Sequence, residues 1–213
     1  MQTYAVAVLD ATGSMAGQED RVVSSMNEYV EHVKTQSEGT HLTVFMFDSE
    51  RWLTFFEGGI ASWPTMKRED YVPGRMTPLY DAVGTAIGHA DRLSSLGDRV
   101  MVMVDTDGYE NASKEHTRAS IKALVEQRKD AGWAFLLMSQ GLDHKAAQGV
   151  AEQGSDVGMA VLPELPAAKR RNRRRAAHST TAYFADGTQP RDGEVLEEDD
   201  EREPTSVTAD GLL

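Results

Sequence analysis

Short apolar runs and helical periods alternate along most of the chain. Residues 3–9, 99–104 and 133–138 are nearly continuous apolar runs, and residues 41–47 are similar in character. Runs of this kind are typical of strands that are covered on both faces, as in a parallel sheet between helices. The run at 51–56 follows closely and predicts an antiparallel hairpin with the strand before it.

Between the strands, apolar residues recur three or four positions apart, which is the period of a helix with one buried face. The first such face comprises Val22, Met26, Tyr29, Val30 and Val33. The second comprises Leu79, Val83, Ala86, Ile87, Ala90 and Leu93. The pattern predicts a third helix with Ser113 as its N-cap and an apolar side of Ile121, Leu124 and Val125. A fourth helix is predicted near 143–153, before a last strand within 156–163.

The alternation of strands and helices predicts an α/β fold with a doubly wound, mainly parallel sheet. Helices should cover both faces of this Rossmann-like sheet, and one edge strand should be antiparallel. We expect one domain over 1–185, whose last helix, at about 163–185, is anchored by Tyr183 and Phe184. Residues 186–213 have few apolar residues and a heavy acidic charge, which predicts a disordered tail.

Charge and composition narrow the classes of function. The formal net charge of −12 divides into −10 for residues 1–168, +6 for the block Lys169–Arg175 and −8 for residues 186–213. Only the basic block could bind nucleic acid, so the body of the domain is not expected to do so. The absence of cysteine excludes disulfides and thiolate metal sites. The N-terminal stretch has neither a basic region nor an apolar run long enough for a signal peptide, so we expect a cytoplasmic protein without membrane contact.

Three polar clusters follow predicted strands or open a predicted helix. They are "DATGS" (10–14), "RMTPLYDA" (75–82) and "DTDGYEN" (105–111). Ligands of open parallel sheets bind at the carboxyl ends of the strands, so we expect the clusters to converge there. The first cluster contains no phosphate-binding glycine motif, and Ser14 is out of register for a nucleophile elbow.

The cluster after residue 104 allows an enzymatic alternative. "VDTDGYEN" resembles the nucleophile motif of haloacid dehalogenase-like phosphatases, with Asp105 as nucleophile and Asp107 as acid/base. That motif normally lies on the first strand, whereas here it lies near residue 100. Little chain follows it for the family's other motifs.

A purely structural alternative assigns local roles to the same residues. Asp10 and Thr77 would cap helices, and Asp107 would form a turn with Gly108. Structural roles are also expected for the neighbouring acids Asp81, Asp105 and Glu110.

A metal site accounts for all three clusters together. Asp10, Thr12 and Ser14 alternate along one loop, so their oxygens can point in the same direction, and Thr77 and Asp107 would add oxygens from neighbouring loops. Oxygen donors without nitrogen or sulfur suit a hard cation such as Mg²⁺, with Mn²⁺ as the alternative. A dication held largely by neutral hydroxyls stays electrophilic and can accept a further carboxylate.

The segments "LDATGSM", "MTPLYDA" and "DTDGYEN" resemble, in order, the metal-ion-dependent adhesion site of von Willebrand factor A domains. The resemblance covers about residues 1–162 and is closest to small stand-alone bacterial or phage members. It implies that the metal residues named above hold or orient Mg²⁺. It also implies that an acidic residue of a protein partner completes the coordination, without catalysis. Thr12 departs from the serine that is usual in the family.

Three aromatic residues complete the expected site. Trp63 and Tyr71 lie in the long loop 57–75, and Tyr109 follows the third cluster. We expect them to form a rim that contacts the partner, since aromatic side chains are common anchors at interfaces. Packing beneath the loop is the alternative for each.

Overall fold

Six strands form one sheet in the computed structural model, which describes residues 1–139, 152–163 and 171–191. The strands are β1 (Thr3–Asp10), β2 (His41–Phe47), β3 (Trp52–Gly59), β4 (Arg99–Thr106), β5 (Ala134–Ser139) and β6 (Ala160–Pro163). Their order is β3-β2-β1-β4-β5-β6, and within it β3 alone is antiparallel to its neighbour. This confirms the predicted fold class.

In the described parts of the chain, four helices of 13 residues or more pack on the two faces of the sheet. They are α1 (Glu19–Gln36), α2 (Leu79–Leu93), α3 (Arg118–Asp130) and α4 (Arg171–Asp186). Helices α1 and α4 share one apolar cluster with alternate residues of the strands, whereas α2 and α3 share the other. The helical periods read from the sequence for α1 and α2 therefore mark their buried faces.

Strand β1 lies at the centre and contributes to both clusters. Ala5, Ala7 and Leu9 face α1 and α4, whereas Val6 and Val8 face α2 and α3. In the parallel register, Asp10 lies opposite Phe47 of β2 and Leu9 lies opposite Asp105 of β4. Three strands therefore end at the same level, and the loops that follow them share one edge of the sheet.

Two predicted helix starts are wrong. Helix α3 begins at Arg118, and its N-cap is Thr117, whose side chain accepts the Ser120 N–H at 3.2 Å. Ser113 instead bonds the carboxylate of Glu110 through its N–H at 2.7 Å and through its hydroxyl at 2.6 Å. Pro163 is the last residue of β6, so α4 does not start there.

Several sequence predictions fall on residues outside those that the structure describes. The helix predicted near 143–153 falls almost entirely outside them, although residues 152–156 are helical. The side chains of the basic block and the acidic tail beyond Arg191 are also outside, so their proposed roles stay predictions.

Tyr183 and Phe184 are buried, as predicted, and fix α4 on the sheet. The Tyr183 hydroxyl donates to the Gly132 carbonyl at 2.6 Å and accepts the Val100 N–H at 3.1 Å. It therefore connects the C-terminal helix to the start of β4 and to the turn before β5.

Replacing Tyr183 by phenylalanine should lower the free energy of unfolding by about 1–2 kcal/mol, because the buried Val100 N–H and the Gly132 carbonyl both lose a hydrogen-bond partner. Tyr183→Ala should cost more, about 3–5 kcal/mol, since it also leaves a cavity. Urea unfolding followed by circular dichroism measures both. Tyr109→Phe, at a side chain that is 49% exposed, is the matched control and should change stability by less than about 0.5 kcal/mol.

Candidate functional site

The last residue of β1, Asp10, is fully buried at the carboxyl edge of the sheet. Its Oδ1 accepts the main-chain N–H of Thr12 at 2.9 Å, and its Oδ2 accepts the hydroxyl of Thr106 at 2.5 Å. Both donors are neutral, so neither cancels the charge of the carboxylate.

Burial raises the pKa of Asp10 from 3.8 to about 6. The hydrogen bonds from Thr106 and Thr12 oppose this rise, whereas the nearby charge of Asp107 adds to it. A cation beside Asp10 would favour the charged form, because an opposite charge at short range offsets the cost of desolvation.

Three hydroxyls form a short chain beside this carboxylate. The Oγ1 of Thr12 lies 3.2 Å from the Oγ of Ser14 and accepts the Thr77 hydroxyl at 3.1 Å. Thr12 and Thr77 are buried, whereas Ser14 is exposed. The group of oxygens is therefore open to solvent on the Ser14 side.

Main-chain hydrogen bonds hold the contributing loops together. The Gly13 N–H donates to the Arg75 carbonyl at 2.9 Å. Thr77 and Asn111 are paired twice: the Asn111 side-chain oxygen accepts the Thr77 N–H at 2.8 Å, and the Thr77 carbonyl accepts the Asn111 N–H at 3.0 Å. The convergence expected from topology therefore rests on direct contacts between loops that are distant in sequence.

Asp107 completes the group from the loop after β4. It is 5% exposed, and its Oδ2 accepts the side-chain amide of Gln18. Its Oδ1 is buried and has no hydrogen-bond partner among the described residues. A buried carboxylate oxygen without a donor is costly, and a cation is one group that can satisfy it.

Gly108 keeps the space beside the hydroxyls free. A Cβ at this position would lie 3.1 Å from the Thr77 Oγ1 and 3.4 Å from the Ser14 Oγ. Any larger residue would therefore crowd the oxygens.

The donor set fits a hard cation in its chemistry: two carboxylates and three hydroxyls, all oxygen. Within the described parts of the chain, no group of three histidine or acidic residues could hold a metal ion. An ion at this edge would therefore depend on the hydroxyls of Thr12, Ser14 and Thr77.

The predicted aromatic rim is wrong for two of its three residues. Trp63 is buried against Phe55 and Phe56, and its indole N–H donates to the Asn27 side chain at 2.9 Å. Tyr71 is also buried, and its hydroxyl donates to the main-chain carbonyl of Asp10. Burial, followed by the charges of the neighbouring aspartates, raises the pKa of Tyr71, so it stays a neutral donor.

Tyr109 is 49% exposed, and its role as a partner contact stays a prediction. Tyr71 instead stabilises the site, because its buried hydroxyl holds the main chain of Asp10 in place. Aromatic composition in a loop could not distinguish these two roles.

Of the local structural roles expected for these residues, the helix caps are absent, whereas those of two acids are observed. The N-caps of α1 and α2 are Gln18 and Pro78, so neither Asp10 nor Thr77 caps a helix. The Asp81 carboxylate accepts three main-chain N–H groups of residues 114–116, and Glu110 accepts those of Tyr80, Ala112 and Ser113. The structural roles predicted for Asp81 and Glu110 are confirmed.

Three residues that complete the site were not predicted. They are Gln18, which bonds Asp107; Thr106, which bonds Asp10; and Asn111, which bonds Thr77. Thr106 and Asn111 lie inside the "DTDGYEN" cluster, which is the local signal for both, whereas Gln18 lies outside all three clusters.

Comparison with known proteins identifies the fold. The vWF domain of the type V pili tip protein Mfa5 from Porphyromonas gingivalis aligns with a TM-score of 0.64 at 13% identity, over 92% of this chain and 98% of that one. A von Willebrand factor type A protein from Catenulispora acidiphila aligns with a TM-score of 0.55 at 13% identity, over 84% of this chain and 43% of that one. The chain has the von Willebrand factor A fold.

The pilus adhesin SpaC from Lactobacillus rhamnosus GG is also similar to this von Willebrand factor A-type chain, with a TM-score of 0.60 at 12% identity. The alignment covers 86% of this chain but 30% of SpaC, so the chain spans less than a third of that adhesin. No family model and no curated protein matches the sequence. Among the described residues of this von Willebrand factor A-type chain, every helix is too short or too polar to cross a membrane.

The buried carboxylate makes the metal-free domain pH-sensitive. With a pKa near 6 in the folded state and 3.8 in the unfolded chain, Asp10 keeps its proton in the fold while the unfolded chain loses it. The stability of the metal-free protein should therefore fall as pH rises from about 4 to 6, by up to ~3 kcal/mol.

Asp10→Asn removes this titration and preserves the shape of the side chain. In the presence of chelator, the variant should match the wild type near pH 4 and exceed it in stability above pH 6. Urea unfolding across this range measures the difference. Equal pH profiles for the two proteins would contradict a raised pKa at Asp10.

Proposed function

We propose that this chain is a metal-ion-dependent protein-binding domain. Asp10, Thr12, Ser14, Thr77 and Asp107 would hold or orient Mg²⁺, and an acidic side chain of a partner protein would complete its coordination. The observation that carries the proposal is the unpartnered, buried Oδ1 of Asp107 beside three clustered hydroxyls.

The number of donors supports an ion that stays open to a further ligand, rather than one that the protein encloses completely. Two carboxylates and three neutral hydroxyls leave the ion short of donors, since Mg²⁺ prefers six ligands and commonly keeps waters. An exchangeable position facing solvent, on the exposed Ser14 side, could then take a carboxylate from another molecule.

The similar structures support an interaction role for the domain. They include a domain of a pilus tip protein and part of a pilus adhesin, and both share the fold described above. The proposal takes from them a role in protein recognition and leaves the partner to be identified.

The proposal does not include catalysis. Asp105, the nucleophile of the phosphatase alternative, lies within β4 and is 1% exposed. An attacking carboxylate must reach the phosphorus atom of a bound substrate, so this burial argues against the alternative.

The metal ion can be tested directly by calorimetric titration with Mg²⁺ and Mn²⁺. Asp10→Asn and Asp107→Asn should each abolish measurable binding, because each removes one of the two negative charges that attract the ion. Mg²⁺ should also raise the unfolding temperature of the wild type but not of these variants.

Asp48→Asn is the matched control. Asp48 is a buried acid at the same edge, but its carboxylate accepts N–H groups of Glu50 and Arg51 and lies outside the proposed ligand set. The Asp48→Asn variant should bind Mg²⁺ with the affinity of the wild type. Unchanged affinity in Asp10→Asn would contradict the metal assignment.

The enzymatic alternative predicts a different result. A phosphatase should hydrolyse a generic phosphomonoester with Mg²⁺, and Asp105→Asn should stop it. We expect no turnover above background. Reproducible hydrolysis that Asp105→Asn removes would overturn the proposal in favour of a phosphatase.

A further inference from the structure

The loop before Thr77 contains an arginine in a backbone conformation that favours glycine. Arg75 has a φ angle of 66°, in the left-handed region that residues with a Cβ adopt at a cost. Its carbonyl accepts the Gly13 N–H at 2.9 Å, which fixes this conformation against the loop that carries Thr12 and Ser14. Glycine would satisfy the same backbone without strain, so the fold does not require arginine here.

The side-chain contacts of Arg75 do not explain the arginine either. Its Nη1 lies 2.7 Å from the Oε2 of Glu50, but the two side chains are 47% and 65% exposed. Exposed ion pairs contribute little to stability. Its Nη1 also lies 3.9 Å from Asp48, which already has Arg51 at 2.7 Å. An incoming carboxylate could therefore replace Glu50 at little cost to the fold.

Arg75 also has exposed apolar neighbours. Val72 and Met76 are 58% and 52% exposed. The Val72 carbonyl accepts the Arg51 side chain at 2.8 Å, and the Met76 N–H donates to the Ser49 hydroxyl at 3.4 Å, so both are attached to the β2–β3 turn. A positive charge and apolar surface thus lie together two residues from Thr77.

We propose that Arg75 is a second anchor for the partner, beside the ion. This inference rests on the proposed function and deepens it. The partner segment would carry two acidic residues close together, one for the ion and one for the guanidinium, with an apolar side chain over Val72 and Met76. Charge complementarity favours this partner, and an arginine can bind a carboxylate through two parallel hydrogen bonds.

Two labelled peptides of equal composition and charge test the inference. One carries its two aspartates close together next to a leucine, and the other carries them at opposite ends. With Mg²⁺, fluorescence anisotropy should show about tenfold tighter binding of the first peptide, the size expected for one charge-assisted hydrogen bond. Arg75→Gly should lose this preference without losing stability, because relief of the left-handed strain offsets the added freedom of the unfolded chain.

Thr65→Gly is the matched control for strain. Thr65 has a φ angle of 57° and is exposed, so it shares the backbone strain of Arg75. It differs in its neighbours, because it precedes Met66, whose carbonyl accepts the Asn27 side chain of α1. It should keep the wild-type preference, and Arg75→Lys should recover part of it. Equal binding of the two peptides by the wild type, or an unchanged preference in Arg75→Gly, would overturn the role of Arg75.

The proposed function fails in a different way. If neither peptide binds the wild type, either with Mg²⁺ or in chelator, both the ion-mediated contact and the second anchor are wrong. If the preference for the first peptide depends on Arg75 but persists in chelator, the guanidinium contact holds and the ion-mediated contact is wrong.

Discussion

The candidate site depends on one buried carboxylate at the end of the central strand. Asp10 is fully enclosed, and its hydrogen bonds come from the neutral groups of Thr12 and Thr106. Burial raises its pKa to about 6, so its ionisation near neutral pH opposes folding. A neutral residue of similar shape would suit the fold better. Residues that reduce stability in this way are concentrated at functional sites.

The strand order explains why other polar groups gather around this carboxylate. The chain runs from β1 to β2 on one side and later returns to β4 on the other side of β1. The order in which strands are added to the sheet therefore reverses beside Asp10. Ligands of open α/β sheets bind at such a reversal, outside the carboxyl ends of the strands. The loops after β1 and β4 meet there, and the loop that carries Thr77 closes the space between them. The same topology leaves Val72, Arg75 and Met76 at its rim.

Periodicity predicts the sheet and the buried faces of α1 and α2, but not every helix start or the contacts of individual side chains. The buried faces of α1 and α2 follow from spacing, because a helix in contact with a sheet must be apolar every three or four residues. Trp63 and Tyr71 gave no such signal, since burial in an irregular loop has no period. Ser113 and Thr117 are both good N-caps by residue type, but Ser113 bonds the carboxylate of Glu110, three residues before it, and Thr117 caps α3. Gln18 reaches Asp107 across 89 residues of sequence, which no local pattern can reveal.

Thr12 lies where the adhesion-site motif that the chain resembles usually has serine, and the backbone gives a physical reason for it. Its φ and ψ angles are −88° and 173°, an extended conformation that β-branched residues favour. The methyl group is buried with the rest of the side chain, so it does not block the open side at Ser14. The branched Cβ also restricts rotation about χ1. A hydroxyl already held between Ser14 and Thr77 would lose less freedom on contact with an ion, so threonine at this position suits the proposed metal site.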